Sequence, residues 1–148
     1  MGSTERIRNV AKRVAKWARA GHQMVVVPSA MSGETNRLLA LASDLAPGHP
    51  ETAYYRELDM LAATGEQASS ALLAIALQAE GLEAVSYTGW QVPVRTDSSY
   101  TKARIESIDP ERVRADLAAG RVVVITGFQG IDPQGNITTL GRGGSDTS

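Results

Sequence analysis

The chain contains no cysteine, which excludes disulfides, thiolate metal sites and a cysteine nucleophile. Its two histidines, His22 and His49, lie far apart, at a helix end and in a Pro/Gly loop. That gives little support to a histidine metal site or a Ser-His-Asp triad. The net charge of −1 exerts no overall pull toward nucleic acid or an anionic membrane. Purely apolar runs, such as residues 24–27, are far short of a membrane span. There is no Gly-x-x-x-x-Gly-Lys-Ser/Thr phosphate loop and no Gly-x-Gly-x-x-Gly after a strand. What is present is ordinary for one soluble globular domain: 148 residues, 43% hydrophobic and 21% charged, enough to bury a sizeable core. The N-terminus is basic and amphipathic, without the continuous apolar centre of a signal peptide, so the cytoplasm is the expected location. A transit peptide shares that composition, but this segment leads directly into a strand, which suits a structural role better.

Residues 4–20 read as a helix. Ile7, Val10, Ala11, Val14, Trp17 and Ala18 share one face, and Arg6, Arg8, Lys12, Arg13, Lys16 and Arg19 form a solvated face opposite. Gly21 is a natural stop. Residues 24–27 read as a buried strand, β-branched and without alternation, as in a parallel sheet covered on both faces. Helices are expected at 35–45, at 51–63 and at 67–80, the last two separated by Thr64-Gly65-Glu66. Short strands are expected at 83–87 and 103–108, around an irregular stretch at 88–93. Asp109 as N-cap and Pro110 as first helical residue then start a helix ending near Gly120. Residues 121–126 form a second buried strand, followed by a Gly127-Phe128-Gln129-Gly130 loop. Strands alternating with helices predict a three-layer α/β/α sandwich with a mainly parallel sheet.

In such sheets ligands bind beyond the carboxyl ends of the strands. Two loops there, 29–33 and 127–130, together with the glycine-rich segment 141–148, define one expected site. Gly141-Arg142-Gly143-Gly144-Ser145-Asp146-Thr147-Ser148 combines glycines that let a ligand approach, an arginine fork, and N-cap residues that open a helix toward an anion. Hydroxyls, backbone amides, an arginine, Glu66 and Asp146 form an inventory suited to phosphoryl transfer, where positioning and charge stabilisation supply most of the catalysis.

Residues 25–36, Gly65-Glu66, the 127–130 loop and residues 138–147 together resemble the aspartate kinase family, in that family's order and over nearly the whole chain. The resemblance implies the amino-acid kinase fold and ATP-dependent phosphorylation of the β-carboxylate of L-aspartate. It implies that Ser29 and Thr35 help hold aspartate, that Glu66 faces its α-amino group, and that Phe128 walls the pocket. It also implies that Arg142 pairs with a substrate carboxylate, Ser145 hydrogen-bonds the substrate, and Gly143 and Gly144 bring amides to the transferring phosphate. Asp146 would be the catalytic carboxylate, organising its neighbours rather than acting as a strong base. The partners implied are L-aspartate and ATP with Mg2+, in an oligomeric parent, with no resident metal, nucleic acid or membrane.

Residues 1–148 contain neither the family's Lys-x-Gly-Gly-Thr-Ser motif nor its adenine site and regulatory domains. The expectation is therefore that residues 1–148 are a partial amino-acid kinase catalytic domain, inactive alone. Alternatives are another amino-acid kinase, of acetylglutamate or nucleotide type, and a non-catalytic small-ligand module.

Overall fold

Residues 122–125 run Val-Val-Val-Ile, a β-branched stretch that packs well only when both of its faces are covered. A computed structural model describes residues 4–47 and 52–140, and in it this stretch is the centre of a parallel sheet. The elements in chain order are α1 (Thr4–Arg19), β1 (Val25–Val26), α2 (Glu34–Leu45), α3 (Thr52–Ala79), β2 (Ala84–Tyr87), β3 (Val94–Thr96), β4 (Ile105–Ile108), α4 (Glu111–Ala118), β5 (Val122–Ile125), β6 (Gln129–Ile131) and β7 (Ile137–Thr139). The parallel sheet has the order β1-β5-β2, with Val25 beside Val123 and Val85 also beside Val123. On one face Val122 and Val124 pack with Ile7, Ala11 and Val14 of α1 and Leu73, Ala74 and Leu77 of α3. On the other, Val123 packs with Val92 and with Val113 of α4. The three layers expected from the sequence are therefore present.

A second sheet, of order β4-β3-β6-β7, is mixed: only the β3–β6 pair is parallel. Its three-residue strands were not expected, because short strands carrying glycine and threonine give no usable period. The predicted 127–130 loop is thus half strand, with Gln129 and Gly130 in β6. The strand end leading to the third expected loop belongs to this second sheet, while loops 29–33 and 126–128 follow the parallel one. Gly130 makes the close approach of β6 to β3 possible: a Cβ there would lie 2.5 Å from the Val94 carbonyl and from Thr96 Cγ2.

The predicted break at residues 64–66 is absent, and α3 runs unbroken for 28 residues. A single helix glycine costs only about 1 kcal/mol against alanine, which tertiary packing overrides. Gly65 faces the chain before and within α2: a Cβ there would meet Glu34 Cγ at 3.4 Å and Ala30 Cβ at 3.6 Å. By length and composition alone α3 could cross a membrane. Here half of that apolar stretch is buried inside the fold, and the buried positions of α3 as a whole include Asp59 and Glu66.

Three smaller expectations also change. β1 is an edge strand, and Val25 is 43% exposed rather than covered on both faces. Trp17 sits at the margin of the apolar face of α1, 47% exposed, its ring edge against His22. α4 begins one residue later than expected: Pro110 is the N-cap, and Asp109 Oδ1 accepts the Glu111 N–H at 3.1 Å. The α1 stop is as expected. Gly21 takes φ +96°, and the His22 N–H donates back to the Trp17 carbonyl at 3.2 Å, closing the helix as a left-handed cap does. The basic side chains of α1 point outward.

Candidate functional site

Beyond the end of β1 the chain turns at residues 28–33 into α2, whose N-cap is Gly33, at φ +78° and without any side-chain cap. Helix N-termini carry partial positive charge and unpaired N–H groups, so this end of α2 favours an anion. A cavity of about 230 Å³ lies here, lined by Ser29, Ala30, Met31, Ser32, Gly33, Thr35, Asn36 and Glu66. Three of the sequence-predicted substrate residues, Ser29, Thr35 and Glu66, therefore share one wall. The loop is tied down from α3, where Ser69 Oγ donates to the Ser29 carbonyl at 2.7 Å.

Glu66 is 6% exposed. Burial pushes its carboxyl up to about 7, against a stabilising hydrogen bond from the Ala30 backbone. Among the described residues its Oε2 has no hydrogen-bond partner. A buried carboxylate with a spare oxygen, at the wall of a small cavity, is suited to accept a cationic group from a ligand. The α2 N-terminus on the same cavity suits the opposite charge. Together they form a pocket for a small molecule that carries both.

Phe128 is not among the lining residues. It sits just before β6 at φ +65°, half-buried, and its carbonyl accepts the Leu140 N–H at 3.0 Å. The bond joins the predicted 127–130 loop to the strand end that leads into Gly141. Gln129 ties the same region to α3, donating to the Ala63 carbonyl at 3.1 Å and accepting from Gln67 Nε2 at 3.3 Å. Arg142, Gly143, Gly144, Ser145 and Asp146 lie outside the described residues, as does His49.

One residue was missed. Asp59, two turns before Glu66 on α3, is 1% exposed and accepts hydrogen bonds from Thr101 and Thr139. Burial raises its pKa, and those bonds oppose the rise. The signal was available: a seven-residue step returns a helix to within about 20° of the same face. Asp59, Glu66 and Leu73 form one buried stripe, polar at its first two positions and apolar at the third.

Comparison with known proteins decides the family. The model of the amino acid kinase family matches residues 1–148. The chain belongs to the amino acid kinase family. Among curated members, it is 59% identical to an aspartate kinase of Pseudomonas fluorescens (strain SBW25), over all of this chain and 35% of that protein. It is 58% identical to an aspartokinase of Pseudomonas aeruginosa over the same shares. The chain thus spans about a third of the length of these relatives. Among solved structures of the family, aspartate kinase from Synechocystis superposes with a TM-score of 0.76 at 44% identity, covering 99% of this chain and 23% of that one. E. coli aspartokinase III, in complex with aspartate and ADP, gives a TM-score of 0.74 at 21% identity, covering 97% and 41%, which shows a shared fold. The amino acid kinase fold expected from the sequence is the fold present.

Proposed function

We propose that this chain is the aspartate-holding part of an aspartate kinase catalytic domain. The observation that carries the reading is the cavity shared by Ser29, Thr35 and Glu66, with the unpartnered Oε2 of Glu66 on its wall. Glu66 takes the α-ammonium of L-aspartate, and the hydroxyls of Ser29 and Thr35 with the α2 N-terminus take carboxylate oxygen. Phe128, which is not part of this cavity's lining, walls the substrate where it extends beyond the cavity. Of the segment outside the described residues, Arg142 pairs with a substrate carboxylate as a planar fork, and Ser145 donates to the substrate. Gly143 and Gly144 present amides to the phosphoryl group, and Asp146 organises the catalytic groups around it. The 58–59% identity to aspartate kinases supports this assignment of roles.

The reaction needs no base. The β-carboxylate of aspartate is already ionised near neutral pH. One of its oxygens attacks the γ-phosphorus of ATP in line, the bond from that phosphorus to the bridging oxygen breaks, and ADP leaves with the electron pair. Mg2+ enters with the nucleotide and offsets charge on its phosphates. Among the described residues, no three His, Asp or Glu side chains converge to hold a metal of their own. In the longer protein this reading places residues 1–148 within a larger catalytic domain of an oligomeric cytoplasmic enzyme. Alone, they are expected to bind aspartate without turning it over.

Calorimetric titration of the 148-residue chain with L-aspartate, N-acetyl-L-aspartate and N-acetyl-L-glutamate tests the reading. Aspartate is expected to bind, and acetylation of its amine to abolish binding. Tighter binding of acetylglutamate would move the assignment to another amino acid kinase.

A further inference from the structure

Among the described residues Asp59 touches none of those assigned to substrate, yet its carboxylate gathers donors from two separate segments. Oδ1 accepts Thr139 Oγ1 at 2.7 Å and the Thr101 N–H at 3.0 Å. Oδ2 accepts the Thr139 N–H at 2.8 Å and the Thr101 N–H at 3.0 Å. We propose that Asp59 is a positioning residue, which fixes the strand end leading into Gly141 against α3 and therefore against Glu66.

Three observations converge on this role. First, β7 is a three-residue strand that among the described residues pairs only with β6, so its ladder alone fixes it weakly. Adjacent residues of β7 are pinned from opposite sides: Thr138 Oγ1 meets Thr96 Oγ1 at 2.6 Å, while Thr139 meets Asp59 through both backbone and side chain. Second, Thr101 adopts φ +72°, a costly conformation for a β-branched residue, and the carboxylate holds its N–H there. Ala103 then bridges to Leu140, so both segments that Asp59 grips run to the same point. Third, Asp59 and Glu66 are fixed to each other by two turns of one helix, about 10 Å of rise. A buried carboxylate is poor value as a stabiliser of packing alone, since an apolar side chain of similar volume often serves as well. Its donors here all belong to the segments converging on Leu140.

The consequence for turnover rests on the proposed function, whereas the consequence for backbone order does not. The test uses Pseudomonas aeruginosa aspartokinase with its matching segment replaced by this chain, carrying Asp59→Ala, Asp59→Asn or Thr139→Val. Asp59→Ala is expected to lower kcat about 100-fold and to raise the KM for aspartate by much less, because small misplacement of catalytic groups weighs most on the chemical step. It should also speed amide exchange at Thr101 and Thr139 while leaving β5 protected. Asp59→Asn should recover most of kcat: its amide oxygen can take both backbone N–H groups while its nitrogen donates to Thr139 Oγ1. Thr139→Val keeps both backbone N–H donors and loses the hydroxyl, with an expected fall in kcat of about fivefold, and it remains informative if Asp59→Ala does not fold. Wild-type kcat and amide protection in folded Asp59→Ala would overturn the proposal. So would equal damage from Asn and Ala, or wild-type kcat in Thr139→Val when Asp59→Ala is unfolded. If the unsubstituted hybrid does not phosphorylate aspartate, that counts against the proposed function, and exchange at Thr101 and Thr139 still decides the role of Asp59.

Discussion

Glu66 and Ser70 lie one turn apart on the buried side of α3, and each keeps an oxygen, Oε2 and Oγ respectively, without a partner among the described residues. Buried polar atoms are nearly always satisfied in folded proteins, so two on one stretch of helix mark it as built for something other than packing.

Glu66 makes the fold and its ligand respond oppositely to pH. Its carboxyl is raised from 4.5 to about 7 by burial. Between those values the unfolded chain has lost the proton while the folded chain retains it, so stability falls as pH rises through that window and then levels off. Binding of an ammonium-bearing ligand needs the ionised form, so affinity for aspartate should rise as pH passes about 7. Glu66→Gln should flatten both slopes and weaken aspartate by at least about tenfold. Urea titrations and calorimetry from pH 5 to 8 measure the two trends, and an unchanged stability slope in Glu66→Gln would contradict them.

Ser69→Ala removes the 2.7 Å bond to the Ser29 carbonyl while leaving the helix intact. The stability cost should be about 1 kcal/mol, the ordinary net worth of one such bond. The larger effect should be on ligand affinity, because the loop that lines the cavity loses its tie to α3. Thermal unfolding and aspartate titration of the same variant separate the two, and weakened stability with unaltered affinity would show that the loop is held elsewhere.

Gly130→Ala should be among the most damaging single substitutions in the chain. The added methyl would stand 2.5 Å from the Val94 carbonyl, a backbone atom that cannot swing away. Separation of β6 from β3 is the only relief, at a cost of about 3 kcal/mol or more. Chemical denaturation reads this directly, and a loss below about 1 kcal/mol would mean the two strands have room to part.

Asp132 anchors the turn between β6 and β7, accepting from Ser98 Oγ at 2.9 Å, Tyr100 OH at 2.8 Å, and the Gln134 and Asn136 N–H groups at 3.0 and 2.8 Å. Burial would raise its pKa, but these bonds outweigh burial and hold it below the usual range. Its contribution is therefore present above the ordinary aspartate pKa and is lost as pH falls through the depressed value. Asp132→Ala should cost about 2 kcal/mol at pH 7, with the difference from the unsubstituted chain shrinking in acid. Urea midpoints at pH 7 and pH 3 check the prediction.

The sequence reveals elements whose residues repeat with a strong period or lack polar interruption. α1 shows its 3.6-residue stripe, and β5 its unbroken valines. Apart from β4, which lies within the strand expected at 103–108, the second sheet stays hidden because its strands are three residues long and its decisive contacts, such as Gln129 to the Ala63 carbonyl, span 66 positions of sequence. At the site, Ser29, Thr35 and Glu66 were legible through their motif and meet at one cavity. Phe128 was named through the same motifs but is not among the residues that line that cavity. Asp59 was overlooked because an acidic residue within a helix ordinarily reads as solvated, and only its phase relative to Glu66 and Leu73 places it inside.

The unbroken course of α3 turns residue count into a structural constraint. One residue inserted between Asp59 and Glu66 would rotate one of them by about 100°, moving either the strand clamp or the pocket carboxylate to solvent. Within this segment, point substitutions on the exposed side can accumulate while insertions and deletions cannot. Sequences that keep this site should therefore vary in letters between positions 59 and 66 and not in length.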